Sequence, residues 1–534
     1  DHGEFIGEVE LCTDPTSVAY DHEICAGVRE DPDQAALLYG THTAMPDPER
    51  LDLCPDGSVA CIEEAARERW TGIRQAAEDH YDRGASCEFV TLVGYEYTGT
   101  PGVSNNHRNV VFRNAETLDL PVTYYEAPTA MALWEALQDR CLDVYGCDVL
   151  TIAHNSNLSN GTMFTLVDPD ATSTEDEVYA AELRARLEPL MEVFQHKGDA
   201  ECRNGFPGVD DDPLCDFEKL WPADAEDCGD GTGSGGMRLW GCVSRRDFAR
   251  GILGQGLLED QRLGIDPYRL GFIGATDTHN ATVGLAPESP FPGHIGTVDD
   301  TPEERLGEGT LTHDAFINNP GGLTAVWAEE RSRDSIFDAL RRREVYGTSG
   351  PRIGLRFFAG WDYPEGLCDQ EDRLALADDG GVPMGGVLPS PAAGNPVPTL
   401  AVWADADPGT VEVPGAPLRQ LQIVKGWLDA EGEFREEVHT VAGDPESPEG
   451  PDPLTCEPLA TGSSELCAVW TDPEFDPGEA AFYYARVVQV PTCRWSTHEC
   501  LELPADERPQ LCDGVEGALT VQERAWSSPV HHLP

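Results

Sequence analysis

The sequence predicts an α/β fold with parallel strands over residues 1–355 and a β-rich, sandwich-like domain over 356–534. Two observations carry this reading. Apolar runs of strand length alternate with segments of helical period between residues 61 and 343, the pattern of parallel strands joined by helices, open or closed into a barrel. Beyond Ile353 that texture stops. Pro and Gly become dense there, and short β-type runs follow one another between turn-forming residues.

The helical segments are 61–79, 129–140, 175–187, 245–258 and 335–343. The last opens on a Ser335/Asp338 capping box and ends in Arg341, Arg342 and Arg343, which suit a helix C-terminus. The strands are CEFVTLVGYEYT (87–98), DVLTIAHN (148–155), PLMEVFQHKG (189–198) and RLGFIGATDTHN (269–280), mostly apolar runs of the kind buried on both faces. In the β-rich part the runs are IGLRFFAGW, PTLAVWADA, LRQLQIVKGW, EEVHTVAG and AFYYARVVQV. No internal repeat is visible. The acidic segment DAEDCGDGTGSGG (224–236) lacks EF-hand calcium-loop spacing and reads as a solvated insertion.

All four apolar strands end in residues of metal-ligand type: Glu96, His154, His196 and the pair Asp277 and His279. In a parallel α/β fold the carboxyl ends of the strands lie on one face, where sites are built, so these side chains are expected to converge. Each alone has a plainer reading, as a loop or capping histidine or a carboxylate paired with Arg. Together they predict a metal centre. Histidine and carboxylate without thiolate suit Zn, Mn or Fe rather than a structural thiolate zinc site. A carboxylate such as Glu96 can bridge two ions, and two close ions acidify a bound water and clamp the oxygens of an in-line displacement.

A second cluster lies in SNNHRNVVF (104–112), where His107 and Arg108 follow the Glu96 strand across a loop containing Gly and Pro. Arg is a natural fork for phosphate, sulfate or carboxylate, and His can protonate a leaving group. The alternative for Arg108 is an ion pair with one of the chain's 97 acidic residues. In HNSNLSNGTMF, Asn155 and Asn157 either orient a substrate or form Asx turns. In YGTSGPRI, Thr348 and Ser349 either line the site or form a turn at a domain junction. There is no GxSxG elbow and no P-loop, which leaves Ser-based hydrolysis and nucleotide-dependent phosphotransfer without support.

Composition narrows the class further. With 97 acidic against 36 basic residues the net charge is -61, which repels nucleic acid and anionic lipid, so no nucleic-acid partner is expected. Only Lys197, Lys219 and Lys425 are lysines, a bias that a saline habitat or a GC-rich genome explains equally well. No apolar run reaches the roughly 18 residues of a membrane span. The chain has 17 Cys with no CxxC pair, and the neighbours Cys54/Cys61, Cys141/Cys147 and Cys493/Cys500 predict disulfide-closed loops in an oxidising compartment, periplasmic or secreted. The opening DHGEFIGEVELC has neither the basic nor the apolar region of a signal peptide.

The stretches VGYEYT, NNHRNVVFRN, AHNSNLSNG, MEVFQHKGDAEC, GATDTHN, YGTSGPRI, PTCRWST and ERAWSSP together resemble the bacterial domain-of-unknown-function 3604 family along nearly the whole chain. That family is similar to the polymerase and histidinol phosphatase (PHP) superfamily of metal-dependent phosphoesterases. The resemblance implies a distorted seven-stranded β/α barrel over 1–355 with two or three divalent ions, Zn first, with Mn or Fe as alternatives. It implies that Glu96 bridges two metals, that His154 and His196 complete one ligand set, and that Asp277 binds another ion. His279 would join His2 on a third, with Asp1 and His2 matching a Thr-Asp-His motif. The superfamily's His-x-His motif occurs nowhere in this chain, which leads to the expectation that the first two barrel strands lie upstream and are missing.

The function expected is a metal-dependent hydrolase, chiefly a phosphoesterase acting on a small anionic phosphate monoester or diester through a metal-bound hydroxide. Arg108 would hold a non-bridging oxygen and His107 would assist the leaving group. The alternatives are hydrolysis of another anionic ester such as sulfate, or a non-catalytic exported binding protein with a structural metal.

Overall fold

The computed structural model describes residues 2–45, 47–165, 171–206, 211–296, 299–307, 317–390, 397–410, 414–446, 449–452, 454–457, 459–513 and 520–534. Asp1, part of the expected Thr-Asp-His match, lies outside them. Over these residues the chain is mixed α/β, with eleven α-helices and several open sheets, none of which closes into a barrel. It divides into two compact units: Asp1–Pro189 with Glu226–Asp247 and Ala328–Arg341, and Leu190–Ala225 with Phe248–Trp327 and Arg342–Pro534.

In the first unit β1 (Val93–Tyr97), β2 (Arg108–Phe112) and β3 (Val149–Ala153) form an antiparallel meander. The expected parallel arrangement fails here because β2, a strand that the sequence reading does not include, lies between β1 and β3. Only residues 98–107 separate β1 from β2, too few for a crossover helix, so the chain must return antiparallel. β1 and β2 alternate buried and half-buried positions. Tyr95 and Tyr97, with Val110 and Phe112, face an apolar cluster shared with Trp70, Leu133, Trp134 and Leu187 from the helices Ala60–His80, Ala130–Leu137 and Thr174–Leu187. These three helices lie close to the segments of helical period in the sequence. The helix Arg333–Arg342 starts earlier than expected, and Ser332 rather than Ser335 caps it, its Oγ accepting from Ser335 N at 3.2 Å. Asp338 is instead an ion-pair partner of Arg113.

In the second unit β4 (Leu190–Gln195) pairs parallel with β6 (Gly271–Gly274) and antiparallel with the short β5 (Gly198–Asp199). The following strands are β7 (Leu323–Val326), β8 (Val345–Thr348), β9 (Gly354–Gly360), β10 (Gly381–Pro383) and β11 (Val387–Leu388). After them come β12 (Thr399–Asp405), β13 (Leu418–Leu428), β14 (Phe434–Gly443), β15 (Glu465–Thr471) and β16 (Ala481–Gln489). The ribbon of β17 (Thr492–Cys493) and β18 (Thr520–Val521), then β19 (Arg524–Ser527) and β20 (Val530–His532), complete the series.

An eight-stranded sheet runs β11-β20-β16-β19-β8-β7, with β13 and β14 added beside β16; a four-stranded sheet runs β10-β9-β12-β15. Phe357, Val402 and Leu466 from the smaller sheet and Ile423, Tyr483 and Val487 from the larger one meet in one apolar cluster, the packing of a sandwich. β7 and β8 precede residue 355 yet belong to this larger sheet, so the change of sequence texture marks no edge of it.

The helix Ala249–Leu263 leads into Asp266, whose Oδ1 accepts from Tyr268 N at 2.8 Å and whose Oδ2 has no hydrogen-bond partner. Burial pushes this carboxyl up from 3.8 to about 7. The folded chain therefore keeps a proton that the unfolded chain releases, and stability falls as pH rises from about 4 toward 7. Asp266→Asn is expected to remove that part of the slope. Thermal midpoints of wild type and variant, measured from pH 4 to 7.5, test it: parallel curves would refute the assignment.

Eight disulfides occur among the described residues, an abundance that suits an oxidising compartment. Cys54–Cys61 and Cys141–Cys147 pair as the spacing predicts. Cys493–Cys500 does not form; Cys493 pairs with Cys456 and Cys500 with Cys512. Cys493 lies in β17 and Cys500 in the helix Trp495–Glu502, so the two stand on different elements and each takes a partner from another segment. Cys87 is the free thiol. Among the described residues no helix is long and apolar enough to cross a membrane.

Candidate metal centre

Strand direction explains which side chains meet in the first unit. β1 and β3 both run antiparallel to β2, so the carboxyl ends of β1 and β3 and the start of β2 share one end of the sheet. Glu96, His107 and His154 occupy that end. His2 is added by a parallel bridge to Glu96, reinforced by Gly3 N donating to Glu96 O at 2.8 Å. His107 Nδ1 lies 2.7 Å from Glu96 Oε1, His154 Nε2 lies 3.6 Å from the same oxygen, and His2 Nδ1 lies 3.4 Å from Glu96 Oε2. One ligand atom each from His2, Glu96 and His107 fall within 4.8 Å of one another. Burial pushes the Glu96 carboxyl up, but the imidazoles of His2, His154 and His107 outweigh it and hold Glu96 well below the usual carboxylate range.

Arg108 is not brought to this group. Tyr97 pairs with Arg108 and Glu96 with Asn109, so pleating sends the Arg108 side chain to the face opposite Glu96. There, fully buried, its Nε donates to Glu188 Oε2 at 2.7 Å, and its Nη atoms donate to Asn106 and to Met163 O. The ion-pair alternative for Arg108 is the one realised. Arg108→Met is expected to destabilise this unit by about 2 kcal/mol, less than for an isolated buried pair because Arg184 still holds Glu188. It should leave metal content unchanged, whereas Glu96→Gln should do the reverse; urea unfolding and elemental analysis of both variants check this.

In the second unit the parallel pair β4 and β6 sets His196, directly after β4, beside the loop after β6 that carries Asp277 and His279. Asp277 holds a left-handed backbone (φ 50°), and its Oδ2 accepts from Gln195 Nε2 at 2.9 Å and lies 3.1 Å from His196 Nε2. Lys197 Nζ makes an ion pair with the same oxygen. Ligand atoms of His196, Asp277 and His279 lie within 4.8 Å of one another. Burial, helped by Lys197 and His294, holds His196 well below its ordinary value, so the imidazole is neutral and offers a lone pair.

Two residues at this group were not foreseen. The His294 ring lies 4.2 Å from that of His196, and its Nε2 contacts Asn319 O. Lys197 had a signal in the sequence, the near absence of lysine. All three lysines form ion pairs with an aspartate, Lys197 with Asp277, Lys219 with Asp199 and Lys425 with Asp472. Ser349 is also spoken for, its Oγ donating to Glu523 and accepting from Arg524 N.

Both groups offer only imidazole and carboxylate donors. Carboxylate and imidazole donors together fit a divalent transition metal, with His2, Glu96 and His107 able to hold an ion in one unit and His196, Asp277 and His279 in the other. Fold and site define a mixed α/β protein with two histidine-carboxylate groups of metal-ligand type. The profile of the family described as "Protein of unknown function (DUF3604)" matches residues 1–534, so the chain belongs to that family. No curated protein and no solved structure matches it.

Proposed function

We propose that the chain is an exported, periplasmic or secreted, metal-dependent hydrolase of anionic esters, with phosphate monoesters or diesters as its substrates. The observation that carries this reading is the half-buried Glu96 carboxylate met by three imidazoles, repeated in kind by Asp277 with His196 and His279. Likeness to the PHP superfamily supports two or three ions, Zn foremost, and a barrel of that type, of which the strand-end ligands are the sequence trace. Divalent ions bound at such groups supply Lewis acidity toward an ester oxygen and toward water.

The chain's own residues do the rest. Glu96, His107 and His154 are fixed by the register of β1, β2 and β3, which positions ligands without reorganisation. His107, at 2.7 Å from Glu96, serves as a ligand rather than as the acid for the leaving group. Lys197 replaces Arg108 as the fixed cation. Its side chain is 14% exposed and lies at the Asp277 carboxylate, where a chain of net charge -61 most needs local positive charge to receive an anion.

The test is elemental analysis of the protein together with turnover of an aryl phosphate, an aryl phosphodiester and an aryl sulfate. Transition metal with phosphoester turnover is the expected result. Sulfatase activity alone would move the substrate class, and stoichiometric metal without turnover would favour a binding protein.

A further inference from the structure

The loop after β3 is held by a dense set of hydrogen bonds. Ser156 Oγ donates to Asp247 O at 2.8 Å, while Asp247 Oδ1 accepts from Ser159 Oγ at 2.7 Å and from Gly161 N at 2.6 Å. Asn160 Nδ2 donates to Trp240 O and Cys242 O, and its Oδ1 accepts from Ser104 Oγ at 2.6 Å. The contact with the 226–247 segment is so close that a Cβ on Gly236 would meet Leu158 O at 2.1 Å.

Within it Asn155 stands apart. It directly follows His154, holds a left-handed backbone at φ 60° and ψ 45°, and is 2% exposed. Neither Nδ2 nor Oδ1 of its carboxamide has a hydrogen-bond partner. A buried amide with both ends open is costly, and a native fold tolerates one where a partner is to be received. The residue before it narrows that partner. His154 meets the Glu96 carboxylate, which lies with His2 and His107 in a group suited to a cation, and the Arg108 guanidinium is spent on Glu188, Asn106 and Met163. An anionic ester needs N–H donors as well as metal, and Asn155 carries two.

Resting on the hydrolase reading above, we infer that Asn155 is a substrate-binding residue whose Nδ2 donates to a non-bridging oxygen of a tetrahedral oxyanion, phosphate or sulfate. The residue type fits both demands on the position. Asn tolerates the left-handed backbone, and Asp there would offer no donor and would repel the anion.

The experiment uses the full chain loaded with Zn or Mn, inorganic phosphate and inorganic sulfate as probes, and the variants Asn155→Gly and Asn155→Asp. Gly removes the side chain without strain at positive φ, which Ala would not. Calorimetric titration is expected to show phosphate affinity lowered roughly tenfold to a hundredfold in Asn155→Gly and at least as much in Asn155→Asp, with metal content unchanged in both. Oxyanion affinity equal to wild type in both variants would mean that the amide holds only an internal water and would overturn the inference. Metal lost in Asn155→Gly but retained in Asn155→Asp would make Asn155 a metal ligand, which also overturns it. A wild type that binds metal but neither probe overturns this inference alone, and a wild type that binds no metal overturns the hydrolase reading with it.

Discussion

Asp277→Asn is expected to strip metal from the group that Asp277 forms with His196 and His279 and to lower aryl phosphate turnover on the order of a thousandfold or more. Asn is the sharper substitution because it tolerates the left-handed backbone at φ 50°, whereas Ala adds strain of its own. The charge is what matters. Asp277 Oδ2 gathers Gln195, His196 and the Lys197 ammonium, and the neutral amide gives a divalent ion no anion to bind. Metal content by mass spectrometry and steady-state turnover read the two effects separately. Full metal with full activity in Asp277→Asn would sink the site.

Glu201→Ala is expected to cost about 3–5 kcal/mol, a large part of the roughly 5–15 kcal/mol that holds a domain folded. Glu201 is fully buried and accepts from Arg250 Nη2 at 2.8 Å, Arg486 Nη1 at 3.0 Å and Trp526 Nε1 at 2.6 Å, with the Tyr484 hydroxyl a further donor. Asp212 Oδ2 shares the same two arginines at 2.7 and 2.8 Å. Removing Glu201 leaves Arg250 and Arg486 short of one buried counter-charge. Burial pushes the Glu201 carboxyl up, yet Arg486, Arg250 and Arg524 outweigh it and hold it well below the usual 4.5. Its contribution is therefore present above pH 4.5 and is lost as pH falls below that. Urea unfolding at pH 7 and pH 4 measures both statements. The exposed pair of Arg69 with Glu10, at 4.0 Å, is the control, where Arg69→Ala should cost under about 1 kcal/mol. Equal costs for the two variants would show that burial of the network contributes nothing.

Much of the fold was legible. The helices Ala60–His80 and Thr174–Leu187 and the strands β1, β3, β4 and β6 lie where helical periodicity and apolar runs place them, because β3, β4 and β6 are buried along their whole length and a helix buries every third or fourth residue. β2 was not read as a strand. Its five residues, RNVVF, alternate correctly, but they are few and follow a loop containing Gly and Pro, so the sequence marks His107 and Arg108 without marking a strand. That single omission misassigned Arg108, whose face follows from register with Tyr97, and hid His107 as a member of the Glu96 group. The disulfides show the same division. Spacing identified the two shortest loops but not Cys368–Cys467, which spans a sequence separation of 99.

By itself the sequence determined the ligand-type residues at strand ends, the α/β texture, the abundance of cysteine and the family. Each of these is written in local composition or spacing. Tertiary structure alone decided that the ligand-type side chains gather as Glu96 with His2, His107 and His154 in one unit, and as Asp277 with His196 and His279 in the other. It also decided that Lys197, not Arg108, is the cation beside a carboxylate of these groups, Asp277. The reason is geometric: pairing direction and register determine which distant side chains share a face, and a one-residue shift sends a side chain to the other side.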